Sequence, residues 1–207
     1  MIRRLGQKMG ERVGTSTKTT LDPEIQTQLT AVETLHDVVD KLIGKMKMSK
    51  SSGLSKVEEL GDLMKTSSGR FQDQSMALIK VFGHASGLQM EMGQEERKHI
   101  DALEEQVIKP LKSWQSEEYK AVLAQKKAME KARLDMDAAT NQLRKGGKGA
   151  DEAKVQAATD HYEQQVQLLK EQMSKLPEWD AAISKVIEAY VKRCKEYYTA
   201  AAAVYAK

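Results

Sequence analysis

Two stretches of the sequence pair residues that could do metal chemistry. Glu33 stands three residues before His36, and Glu96 three before His99. On a helix, residues three apart share a face. Two such pairs with two further glutamates make the ligand set of a ferritin-like di-iron protein, which is the enzyme reading of this chain. Against it, His36 falls on an apolar heptad position, where a packed histidine is the commoner role. His84 and His161 lack metal-ligand spacing. The single cysteine, Cys194, lies on an apolar stripe and suits a packed thiol in a reducing compartment. Gly146-Gly147-Lys148-Gly149 follows no strand pattern, so it reads as a turn and not as a phosphate loop. No Ser/His/Asp set stands in catalytic context. The expectation is a protein that is not an enzyme, with no catalytic residue, no metal and no cofactor.

The other chemistry on offer is that of an interface with water on one side. Residues 1–14 read MIRRLGQKMGERVG. At 100° per residue, Ile2, Leu5, Met9 and Val13 fall within an arc of roughly 80°. Arg3, Arg4, Lys8 and Glu11 point largely the other way, and Arg12 flanks the apolar arc. Five basic residues and one acid precede residue 21. An interfacial helix wants this arrangement. Gly6, Gly10 and Gly14 weaken a helix in water, so the segment is expected to be disordered until a surface orders it. Burying each apolar side chain contributes about 1.5–3 kcal/mol, and each basic residue near anionic lipid about 1 kcal/mol. Ordering costs about 1–2 kcal/mol per residue. These terms are of one size, so two segments on one dimer bind where a single one holds poorly. An Arg-rich amphipathic start also suits a mitochondrial presequence, against which Glu11 argues.

A second basic region spans residues 120–154, with nine basic residues and five acidic ones. Lys126, Lys127, Lys131, Arg133, Arg144, Lys145, Lys148 and Lys154 are its candidate lipid contacts. The plain alternative is a solvated helix face. The net charge of +3 is too mild to point to nucleic acid. No apolar run approaches the length of a membrane span.

The elements that would carry these residues are long helices. Aromatic residues are scarce and prolines number only 3, while helix formers dominate. Residues 1–22 are the amphipathic segment and a polar linker. Asp22-Pro23-Glu24 reads as N-cap, first-turn proline and early acid, opening a helix over about 23–66. Its seam of Ile25, Leu29, Val32, His36, Val39, Ile43 and Met46 steps by four and three. The run Ser49 to Gly53 interrupts or bends it. A second helix over about 70–145 has the seam Ile100, Leu103, Val107, Leu111, Trp114, then Ala121, Ala128, Ala132, Met136, Ala139 and Leu143. Pro110 is expected to kink it. After the glycine turn a third helix over about 151–206 carries Val155, Tyr162, Val166, Leu169, Met173 and Leu176. It is expected to kink at Pro177 and to resume as Ile183, Val186, Tyr190, Cys194, Tyr197 and Val204. About 75 residues of helix make a rod of roughly 110 Å, with apolar seam left for a second chain.

These features together resemble the BAR domain family, in its N-BAR, amphiphysin- and endophilin-like form. The basic amphipathic start precedes Thr20-Leu21-Asp22. Val107-Ile108-Lys109-Pro110-Leu111 resembles the family's proline kink in helix two. Lys126-Lys127 followed by Arg133-Leu134-Asp135-Met136-Asp137 is similar to its basic run, although the tip at Arg144-Lys145 and Lys148 is less densely basic than in amphiphysin-like members. The resemblance covers nearly the whole chain.

It implies an all-α fold: residues 23–207 as an elongated three-helix antiparallel coiled coil with kinked long helices, forming a crescent-shaped homodimer. It implies a protein that senses or generates curvature in anionic phospholipid membranes, as in endocytosis. Ile2, Leu5, Met9 and Val13 would insert. Arg3, Arg4, Lys8, Arg12 and the eight residues of the 120–154 region would meet headgroups. The protein would be cytoplasmic and peripheral to the membrane, with membrane-trafficking or cytoskeletal proteins as further partners and no nucleic acid. A soluble coiled-coil scaffold or adaptor that never touches lipid is the alternative from a different class.

Overall fold

The computed structural model describes residues 7–8, 18–46, 53–69, 76–146 and 151–207. The fold is all-α. Among the described residues from Pro23 onward, seven α-helices follow in order: α1 (Pro23–Met46), α2 (Lys56–Ser68), α3 (Met76–Leu103), α4 (Lys109–Trp114), α5 (Lys120–Arg144), α6 (Glu152–Met173) and α7 (Leu176–Tyr205). The chain divides into two compact units. Met1–Asp40 with Ser113–Ala181 form the first, and Lys41–Lys112 with Ala182–Lys207 the second.

Local chemistry sets the helix starts. The Asp22 carboxylate accepts the Glu24 amide at 2.8 Å, satisfying one of the free N–H groups ahead of α1. Asp151 does the same for Ala153 at 3.0 Å ahead of α6. Ser55 and Glu58 form a capping box at α2, each side chain accepting the other's amide. Gly146 turns the chain after α5 with φ near +60, a conformation that favours glycine.

The seam of α1 is buried at Ile25, Leu29, Val32, Val39 and Ile43, with His36 and Met46 half-buried. In the first unit, α5 packs against α6, and Gln125 donates to the Gln165 backbone carbonyl at 3.0 Å. Trp114 and Trp179 are both buried and meet edge to face, centroids 6.1 Å apart.

In the second unit, α2 packs antiparallel on α3. The Ser86 hydroxyl donates to the Gly61 carbonyl at 2.7 Å. Glu58 is fully buried and its carboxylate takes both Arg97 amino groups, one at 2.6 Å. The pair passes over Gly93, where a Cβ would overlap the Glu58 Cγ, so this crossing requires glycine.

Around Pro110 the chain stays helical but widens. Glu104–Ile108 and Gln115–Tyr119 are π-helical turns on either side of α4. The Lys109 amide reaches back five residues to the Glu104 carbonyl. Proline has no N–H to give and its ring crowds the preceding turn, which the wider turn relieves. Each π turn also holds one residue more than an α-turn would need. The expected seam step from Trp114 to Ala121 is therefore shifted by one: Ala121 is exposed and Val122 is buried.

At Pro177 the expected kink is a break. α6 ends at Met173, two turn residues follow, and α7 begins at Leu176 with Pro177 in its first turn. There the missing N–H costs nothing, because first-turn amides have no helical partner. The Trp179 amide then bonds the Lys175 carbonyl at 3.0 Å.

Candidate membrane-binding surface

α5 carries most of the described basic candidates. Placing its residues at 100° apiece puts Lys120, Lys127, Lys131 and Lys145 within about 40° of one another. All four are exposed. Val122, Met129 and Ala132 are buried and lie about 140–220° from Lys127, opposite the lysine stripe, while the buried Leu134 and Asn141 lie within about 40° of Lys127. Lys120 is a member that sequence reading passed over, though its seven-residue spacing to Lys127 marks it. Arg144 is exposed off the stripe and donates to Asn141 at 3.2 Å. Lys154, at the start of α6, is exposed with its amine 3.5 Å from Asp151.

Two candidates are engaged otherwise. Lys126 is half-buried and reaches Glu33 of α1 at 2.6 Å. The Arg133 side chain is only 11% exposed and sits 2.6 Å from Asp137. Burial pushes the Tyr162 phenol above its ordinary pKa, the Arg133 charge opposing and the Asp137 charge adding to it. A cleft of about 270 Å³ between the linker and α5 is lined by Lys18, Lys126 and Arg133. Glu130 lines it too, and Glu33 and Asp137 hold two of its cations, so the cleft is close to neutral.

Of the N-terminal segment, Gln7 and Lys8 are described. They lie in a helical turn; Lys8 is exposed and Gln7 is buried. Asn141 Nδ2 donates to Gln7 Oε1 at 3.3 Å. Thr19 anchors the linker below it, its amide and hydroxyl donating to the Asp137 carboxylate at 3.2 and 2.5 Å. Gln7, Thr19, Asp137 and Asn141 were not anticipated from sequence. Ile2, Arg3, Arg4, Leu5, Met9, Arg12, Val13 and Lys148 lie outside the described residues.

The residues of the di-iron reading are placed differently. His36, in the first unit, stacks on Tyr119 with centroids 3.8 Å apart. His99, in the second, stacks on Tyr197 at 4.6 Å. Among the described residues no group of three or more His, Cys, Asp or Glu could hold a metal ion. No described helix is long and apolar enough to cross a membrane.

A family model described as the BAR domain matches residues 1–207. No curated protein matches the chain.

Proposed function

The chain belongs to the BAR domain family, and on that premise we propose that it is an N-BAR protein that binds anionic bilayers without catalysing any reaction. The family's domains bind membranes, dimerise, and sense or generate curvature. The observation that carries the finer reading is the stripe of Lys120, Lys127, Lys131 and Lys145, all exposed and on the side of α5 opposite Val122, Met129 and Ala132. Clustered lysines near anionic headgroups each contribute about 1 kcal/mol, which adds up along a stripe but not for scattered charges. The N-terminal segment supplies the wedge: Ile2, Leu5, Met9 and Val13 enter the acyl boundary while Arg3, Arg4, Lys8 and Arg12 meet phosphates.

A homodimer is part of this reading. Leu63, Val81, Val191 and Tyr198, all in the second unit, are 60–69% exposed. Large apolar side chains gathered in one unit suit a surface covered by a second chain.

Co-sedimentation with vesicles, with and without anionic lipid and at two salt concentrations, tests the reading. Salt-sensitive binding to anionic vesicles, with tubules or small vesicles by electron microscopy, is the expected result. Absence of binding under every condition would leave the soluble scaffold as the better account.

A further inference from the structure

In the second unit, α7 meets α3 and the π turn after it through one side. Arg193 Nε donates to Gln106 Oε1 at 2.9 Å, and Tyr197 stacks on His99 with centroids 4.6 Å apart. At 100° per residue, Arg193 and Tyr197 lie about 40° apart on α7. Val191 and Tyr198 lie about 100–160° round the helix from both and are 60% and 69% exposed. The Tyr197 and Tyr198 rings also meet, centroids 5.4 Å apart. One helix therefore carries a contact with its own unit and part of the surface proposed for a second chain. A shift at the first moves the second.

Of the groups in that contact, His99 is the one that titrates near neutral pH. It is 9% exposed. Around it, Glu95 pairs with Lys98 on α3, and Glu196 pairs with Arg193 on α7. These four residues, with His99 and Tyr197, line a cleft of about 210 Å³. Glu96, three residues before His99, differs from the paired acids: its Oε2 is buried and meets no hydrogen-bond donor. The neutral imidazole bonds the Arg193 backbone and stacks on Tyr197. A charged ring in the same place gives up hydration and faces the Arg193 guanidinium. The cleft gives it room to turn, and Glu96 offers a carboxylate on the same side of the helix.

We infer that His99 is an acid-sensitive latch on α7: neutral, it holds the helix so that Val191 and Tyr198 meet a second chain, and protonated, it lets the helix shift and the chains separate. This rests on the homodimer reading above. Burial lowers the His99 pKa from 6.5, the backbone bond with Arg193 acting against this and the Arg193 charge with it. Association is therefore strongest above pH 6.5 and weakens as pH falls through the folded value. By linkage, separated chains take up this proton more readily than paired ones. A dimer carries two lysine stripes, so acid that parts the chains also weakens their joint hold on a bilayer.

The test is sedimentation equilibrium of the full chain at pH 7.5 and pH 5.5 at one ionic strength, with His99→Phe and Glu96→Gln alongside. The parent dimer is expected to dissociate about 10-fold more readily at the lower pH, within the usual range for coupled sites. His99→Phe keeps a ring against Tyr197 and takes up no proton, so its dimer is equally tight at both. Glu96→Gln removes the carboxylate that receives the charged ring, so its dimer separates at a lower pH than the parent. A parent dimer equally tight at both pH values overturns the proposal. So does a His99→Phe dimer that weakens with acid as the parent does. If His99→Phe fails to fold, Glu96→Gln decides, and an acid response identical to the parent overturns the latch. A parent chain that is monomeric at both pH values removes the homodimer reading and this proposal with it.

Discussion

Arg133 and Asp137 stand one turn apart on α5 with Nη1 2.6 Å from Oδ2, and their side chains are only 11% and 6% exposed. Thr19 closes the other side of the same carboxylate through its amide and hydroxyl. One buried acid therefore joins a cation of its own helix to the linker before α1. Asp137→Ala strips Arg133 of this carboxylate and Thr19 of its acceptor. Breaking such a pair from one side costs about 3 kcal/mol, read as a lower urea midpoint. Thr19→Val removes one neutral donor and costs about 1 kcal/mol. Equal losses from the two substitutions would show that the carboxylate acts only through Thr19.

The lysine stripe makes a separate prediction about affinity. Neutralising two lysines that face anionic lipid removes about 2 kcal/mol, or roughly a 30-fold loss of binding. Lys127→Gln with Lys131→Gln is expected to show that loss at low salt and less of it at high salt. Lys126 and Arg133 are engaged with Glu33 and Asp137, so their removal is expected to register first as lost stability. Vesicle binding and thermal melting, measured on both sets, separate the two roles.

His99 links stability to pH in the second unit. Burial lowers its pKa from the ordinary 6.5; a hydrogen bond with the Arg193 backbone acts against this and the Arg193 charge acts with it. The folded protein therefore takes up the His99 proton less readily than the unfolded chain does. The contribution is fully present above pH 6.5 and is lost as pH falls through the folded value. Urea midpoints are expected to fall between pH 7 and pH 5. His99→Phe, which keeps an aromatic ring against Tyr197, flattens part of that fall. An identical pH dependence in the variant would assign the loss to other groups.

How much of this was legible in the sequence depends on distance along the chain. The α1 seam was readable because a heptad pattern is local: its residues reach burial through one regular helix. The Asp22 cap and the glycine turn are equally local. The start of the α5 seam was misplaced by one residue, with Val122 and Met129 buried in place of Ala121 and Ala128, because a π turn leaves no mark in apolar periodicity until the phase has already moved; Ala132 is buried as read. The break at Pro177 was read as a kink because the same proline serves either, depending on whether the chain before it can stop. Gln7 and Asn141 were invisible for a plainer reason. They are 134 residues apart, and each alone is an ordinary polar residue on a predicted helix.

The last prediction concerns the wedge. Residues 1–14 carry the apolar arc and four of the five basic residues ahead of residue 21. The exposed apolar side chains proposed to join two chains, Leu63, Val81, Val191 and Tyr198, all lie elsewhere. Deleting residues 1–14 is therefore expected to leave the oligomeric state unchanged by light scattering. Salt-sensitive binding through α5 should persist in weakened form. Tubule formation should fall sharply, because lysines attract a bilayer whereas bending it needs insertion into one leaflet. Val191→Glu is the converse case: it puts a charge into the proposed interchain surface and leaves the wedge intact. Its expected outcome is a smaller species that binds vesicles weakly, since two linked segments gain what one cannot. Unchanged tubulation by the deletion, with unchanged size, would assign remodelling to the helical body alone.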